Sequence, residues 1–347
     1  MIQLKNLPQK YLNIFYVLLS LLMYNATILY KYLNNADFLK KYTIVSQYYF
    51  TYQKCGFISR GLIPSLLDFF GINNIISYVV IFNITLVIYV ILIIYIAKMY
   101  RVKNINLYLV AYLFLFFGVL HFALDIFRLD MLIMMLSLAV LILLNKQKYL
   151  IAFLISLLSL LIQEASFFLL IPIFFLVLKS KQRWVFAVSL FIGFLVIILS
   201  SNKITEKEAI TILQNHNLEN IDKVYYIWLT FGIKENIKYV FSTYNVSLYI
   251  IYGIGYMIIL FYSFKELFIS KFSEFRWLFL FPLFLCMVAV DYPRWYCFVY
   301  FLAMLYAAKY NLFNKQSFIY ILSITLLLGF SNFGFFSYLL ILISNKI

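Results

Sequence analysis

The sequence predicts an all-α fold, a polytopic transmembrane helical bundle, on three observations. Apolar stretches follow one another from Leu12 to Ile343. The chain is 65% hydrophobic and only 12% charged, with a mean hydropathy of +0.96. Its basic residues cluster in short loops, and placing those clusters on one side of a bilayer puts most of the acidic residues on the other. A helix of about 20 apolar residues crosses ~30 Å of hydrocarbon, and no water-soluble core hides this much apolar chain.

Lysine and arginine in short loops stay cytoplasmic, so their positions orient the spans. Lys5 and Lys10 precede a first span, Leu12 to Tyr30; Lys98, Arg101 and Lys103 follow a second, Ile75 to Ala97. A third runs from Leu107 to Leu124 and a fourth from Met131 to Leu144, closed by Lys146 and Lys148. Further basic groups lie at Lys179–Arg183, Lys265–Arg276, Lys309–Lys315 and Lys346.

Tyr149 to Leu178 is basic at both ends and, as one helix, would measure ~45 Å at ~1.5 Å per residue. Two short helices meeting at Gln163–Glu164–Ala165–Ser166 satisfy both ends and put the carboxylate at the bend. The tail from Ser317 to Ser344 repeats this, bending at Ser331–Gly334. The expected total is about twelve membrane segments, some short or broken, in a single domain over 1–347 with both termini inside. The first span lacks an obvious small-residue cleavage site and is expected to stay as a helix.

Acidic residues were not used to orient the spans. Of the 13 present, Asp37, Asp68, Asp125, Asp130, Glu164, Glu206, Glu208, Glu219, Asp222, Glu235 and Asp291 fall at the outer side, and only Glu266 and Glu274 inside. The net charge of +15 therefore reads as anchoring to anionic membrane lipids, not as a nucleic-acid surface. Three cysteines in this arrangement give neither a disulfide framework nor metal-ligand spacing, so no metal or cofactor is expected.

Two outer loops are long, 31–74 and 201–244. In the second, Thr205–Leu213 has helical propensity with Thr205 as N-cap.

Charge near hydrocarbon costs several kcal/mol, so each such residue is a functional hypothesis. Arg60 stands between Gly56 and Gly61, which permit positive φ and close approach, and its planar fork suits a diphosphate. Lys54 lies in the same stretch; the plainer reading of both is snorkelling to headgroups. At the third-to-fourth turn stand His121, Asp125, Arg128 and Asp130; Asp125 and Arg128 are i, i+3 and neutralise one another if that turn is helical, and His121 lies four residues before Asp125. Glu164, with no sequence-local cation, either pairs with an arginine from another loop or is desolvated; both suit a base for a hydroxyl nucleophile. In Asp291–Tyr292–Pro293–Arg294–Trp295, Pro293 fixes a turn between short spans, and Trp295 suits an interface or a sugar face. His216 is a loop histidine, solvated by default. Together Arg60, Arg128, Arg294, Glu164 and Asp291 would surround one outward vestibule.

At Gly56–Leu62, Gln163–Ala165 and Asp291–Trp295 the chain resembles the polytopic surface-polysaccharide polymerases, the O-antigen polymerase (Wzy/EpsG-like) group. Arg60 and Gly71 also fit the Arg-x10-Gly pattern of their loops. The resemblance implies a GT-C-like bundle in the bacterial inner membrane that moves a glycan from undecaprenyl diphosphate to a sugar hydroxyl without a metal. Arg60 and Arg294 would hold the donor, helped by Lys54, Asp125, His216 and Trp295. Glu164 would be the base, with Asp291 and Arg128 orienting the reactants. Partners implied are the lipid-linked glycan, membrane lipids and a chain-length regulator protein. Asp37 stands alone where monophosphate-dependent GT-C enzymes carry an acidic pair. A flippase of lipid-linked oligosaccharide, or a ligase or other GT-C glycosyltransferase, stays open as an alternative.

Overall fold

The structure is a computed structural model that describes residues 9–34, 45–58, 60–72, 75–115, 117–124, 126–202, 204–215, 243–271 and 292–327. Among these every regular element is helical. Four helical stretches are long and apolar enough to cross a membrane: Tyr11–Leu33, Ile76–Met99, Ile105–Ala123 and Lys181–Ser200. Shorter apolar helices pack among them. Part of the stretches expected to hold the remaining segments, 272–291 and 328–347, lies outside the described residues.

Helix α1 (Gln9–Asn34) precedes a one-turn helix α2 (Tyr52–Cys55), an eight-residue α3 (Leu62–Phe69) and the long α4 (Ile75–Met99). In α1 and α4 the only strongly polar side chains at mid-height answer each other: Asn25 Nδ2 donates to Asn83 Oδ1 at 2.7 Å, and Asn83 Nδ2 returns a bond at 3.1 Å. Away from water, such amides are tolerable only when paired.

The third expected span is interrupted. Helix α5 (Ile105–Phe114) ends at Leu115 in extended backbone, and α6 (Val119–Leu124) starts after a turn. At Gly118 a Cβ would stand 2.1 Å from the Tyr112 carbonyl oxygen, so the chain passes close enough to admit only hydrogen. Helix α7 (Asp130–Asn145) covers the fourth span.

The Tyr149–Leu178 stretch folds as a pair, α8 (Tyr149–Ile162) and α9 (Ser166–Val177), broken at Gln163–Ala165 where the sequence places the bend. Helix α10 (Ser180–Ser200) follows; α11 (Glu206–Gln214), α12 (Thr243–Ser263), α13 (Lys265–Ser270), α14 (Tyr292–Tyr310) and α15 (Lys315–Leu327) complete the described α-helices, and Val45–Tyr49 forms a short 3-10 helix. Helix α14 corrects one expectation. Pro293 is not in a turn between spans but in the first turn of a 19-residue helix, where the missing N–H costs nothing.

Contacts among the described helix ends bring the basic segments near Arg101, Lys146, Lys179 and Lys309 to one face. Asn145 Nδ2 donates to Tyr100 Oη at 3.0 Å, Asn311 Oδ1 accepts from Lys103 N at 3.1 Å, and Lys309 donates to the Leu176 carbonyl. Phe186 packs on both Tyr149 and Phe174, and Ser317 Oγ donates to the Ser263 carbonyl at 2.6 Å. Because Tyr149 opens α8 and Phe174 lies near the end of α9, the pair is a hairpin whose Glu164 tip points to the opposite face.

Candidate functional site

That opposite face is built from the loop between α1 and α4, the α8–α9 tip and the α6–α7 turn. The loop is anchored from several sides. The Tyr48 hydroxyl donates to the Phe127 carbonyl at 2.5 Å, and its ring packs on Tyr78 at 5.0 Å. Ser65 Oγ accepts from Tyr52 N at 2.7 Å and donates to the Gly61 carbonyl at 2.6 Å.

Arg60 Nε reaches both carboxylate oxygens of Glu164, at 3.0 and 3.1 Å, and Nη2 bonds Oε1 as well. The side chains are 19% and 24% exposed, so the pair sits at a mouth, neither sealed nor fully solvated. Burial pulls the Arg60 guanidinium down, but the adjoining Glu164 carboxylate more than offsets this, and its pKa ends above the ordinary arginine value. Asp130 adds to that attraction and Arg128 opposes it, so all four charges share one electrostatic neighbourhood.

The backbone here departs from the expectation for its glycines. Gly56 takes a positive φ, +68°, but Gly61 does not; its φ is −75°. Arg60 itself adopts φ +66°. A non-glycine residue in the left-handed region costs on the order of 1 kcal/mol, so the fold holds the arginine in a conformation it would not choose. Gly61 serves close approach instead: a Cβ there would fall 2.4 Å from Tyr52 Cε1.

At the α6–α7 turn Phe127 has φ +65°, and regular helix ends at Leu124 and resumes at Asp130. His121 faces Asp130, with Nε2 and Oδ2 3.3 Å apart and both side chains wholly buried. Asp125 lies outside the described residues, as do His216 and Asp291, and nothing is described of the Arg294 side chain. The Trp295 indole is 5% exposed and packs on Phe298 at 5.5 Å, so its ring face is covered rather than presented.

Lys54 is exposed and lines an open groove of about 480 Å³ together with Cys55, Asn202, Ile204, Lys207, Glu208, Thr211 and Ile212. The groove exists because the two outer loops pack together. Asn202 N donates to the Phe57 carbonyl at 2.7 Å, and its side-chain amide donates to the Cys55 carbonyl at 3.2 Å. Beneath them Phe50, Ile58, Ile204, Ala209 and Leu213 form a small separate core. Helix α11 begins at Thr205 as expected, with a full capping box: Glu208 N donates to Thr205 Oγ1 at 3.3 Å and Thr205 N to Glu208 Oε2 at 2.8 Å.

The structure thus brings together Arg60, Glu164 and Arg128, and sets Lys54 in a neighbouring groove. Asp130, grouped with His121 and Arg128 at the third-to-fourth turn from the sequence, stands in this neighbourhood too. Asn202, Lys207 and Cys297 are additions that the sequence did not single out as site residues; they are placed by tertiary packing alone. Among the described residues no group of three or more His, Cys, Asp or Glu is arranged to hold a metal ion. Comparison of the chain with protein-family models, with curated proteins and with solved structures gives no match.

Proposed function

We propose that the chain is a membrane glycosyltransferase that polymerises glycan repeat units carried on undecaprenyl diphosphate at the periplasmic face of the bacterial inner membrane. The observation that carries this reading is the Arg60–Glu164 pair, half-open to solvent at the end of the bundle away from the lysine clusters. With those clusters cytoplasmic, by the rule for basic loops, the pair faces outward.

The chemistry follows from what each partner offers. A diphosphate presents more negative charge to Arg60 than one carboxylate does, and competes for the same donors. Once displaced, Glu164 is an acceptor-only group beside the reacting sugar. The acceptor hydroxyl attacks the anomeric carbon of the donor glycan, the carbon–oxygen bond to the diphosphate breaks, and the diphosphate leaves with the electron pair. The hydroxyl proton passes to Glu164, while Arg60 and Arg128 stabilise charge on the departing phosphate oxygens. The groove at Lys54 and Lys207 gives the growing glycan a polar path beside this centre.

The reading is tested in membranes supplied with a lipid-linked repeat unit. Arg60→Ala and Glu164→Gln should abolish the polymer ladder at normal expression and leave unpolymerised lipid-linked units outside. An unchanged ladder rejects the assignment. Units trapped on the cytoplasmic leaflet of a deletion strain would point to a flippase instead.

A further inference from the structure

Behind the Arg60–Glu164 mouth lies a buried line of three side chains from three helices. His121 on α6 has Nε2 3.3 Å from Asp130 Oδ2 at the start of α7, and Nδ1 4.0 Å from Cys297 Sγ on α14. All three are wholly buried. Cysteine, histidine and carboxylate in this order serve nucleophilic catalysis where a substrate reaches the sulfur. Here the thiol presents no surface, so the arrangement must act through something else.

What it brackets is the turn from Ile126 to Leu129. His121 and Asp130 tie the two helix ends that flank the turn. From the other side Tyr48 Oη and Gln47 Nε2 both donate to the Phe127 carbonyl, at 2.5 and 3.2 Å. Phe127, at φ +65°, is locked against Phe82 at 5.4 Å. The side chain this turn presents is Arg128, in the same electrostatic neighbourhood as Arg60. Two guanidinium groups repel one another unless a polyanion or carboxylates lie between them. A buried carboxylate such as Asp130 stays in place only when hydrogen-bonded, and His121 Nε2 lies 3.3 Å from its Oδ2.

Resting on the diphosphate reading above, we propose that His121, Asp130 and Cys297 are positioning residues that hold the α6–α7 turn so that Arg128 stands beside Arg60, and the two arginines together grip one diphosphate. The His121 ring is then held in one orientation. Nε2–H donates to Asp130, and Nδ1 accepts from the Cys297 thiol.

The full-length chain in lipid nanodiscs tests both halves. The chain has 2 histidines, so nitrogen-15 labelling gives two sets of ring signals, and the set missing in His121→Gln belongs to His121. A protonated Nε2 and bare Nδ1, with Nδ1 moved by Cys297→Ala and Nε2 by Asp130→Asn, is the expected result. The opposite tautomer, or signals indifferent to both substitutions, overturns the clamp.

In the second measurement an arginine-specific dicarbonyl reagent modifies the protein with and without inorganic pyrophosphate, and peptide masses report Arg60 and Arg128 separately. Pyrophosphate should protect both with one concentration dependence. His121→Phe should raise the protecting concentration about tenfold, while His121→Gln, whose amide reaches the Nε2 position, stays within about twofold. Equal protection in His121→Phe overturns the positioning role, and protection of Arg60 without Arg128 overturns the shared grip. Protection of neither sinks the diphosphate reading with it, whereas loss confined to His121→Phe does not touch that reading.

Discussion

Arg60 and Glu164, 104 residues apart in sequence, meet through three side-chain hydrogen bonds across the outer loop and the α8–α9 tip. Each residue lies at a break in regular structure: Arg60 at a left-handed backbone position, Glu164 between two helices. Replacing one partner leaves the other charge partly desolvated, a loss of about 1–3 kcal/mol. Arg60→Ala and Glu164→Ala should therefore be non-additive in unfolding measurements in detergent, with a coupling of about 1 kcal/mol. Additive losses would mean the two side chains do not meet.

The backbone at Arg60 gives a separate test. Glycine populates positive φ without a Cβ penalty, whereas alanine does not. Arg60→Gly should be more stable than Arg60→Ala by about 1 kcal/mol, reversing the usual order of the two residues. Both should lack activity, so the stability readout isolates the conformational term.

Gly118 sits where α5 breaks, with the Tyr112 carbonyl in the space a Cβ needs. The obstruction is backbone and cannot rotate aside. Gly118→Ala should cost about 2 kcal/mol or more, in the range of overpacked cores, read as a lowered melting temperature. Gly71→Ala meets no atom and should cost only its positive φ, about 1 kcal/mol.

Asn25 and Asn83 form the polar contact between α1 and α4. Interhelical hydrogen bonds in membranes contribute about 0.6 kcal/mol on average. A double-mutant cycle with leucine at both positions should give a coupling of that size. Either single leucine should cost more than the double, because it strands one amide.

The α11 cap predicts a pH dependence. Two bonds from Thr205, backbone first and hydroxyl second, lower the Glu208 carboxyl below its ordinary range. Its folded pKa is depressed, so its stabilisation is complete above the usual carboxylate pKa and fades as pH falls through the folded value. Exchange-corrected amide protection over 206–214 should therefore decline in acid. Thr205→Ala should flatten that decline.

Composition and the blocks of lysine and arginine determined that this chain is a stack of apolar helices. The break at Gln163–Ala165 was also legible, because two basic ends cannot both belong to a single crossing. Those are consequences of solvation, and solvation is written residue by residue. Which arginine meets Glu164, that the left-handed position falls on Arg60 rather than Gly61, and that His121 meets Asp130 were decided only by the tertiary structure. Each depends on how helices distant in sequence settle against one another, and a local pattern carries no term for that packing.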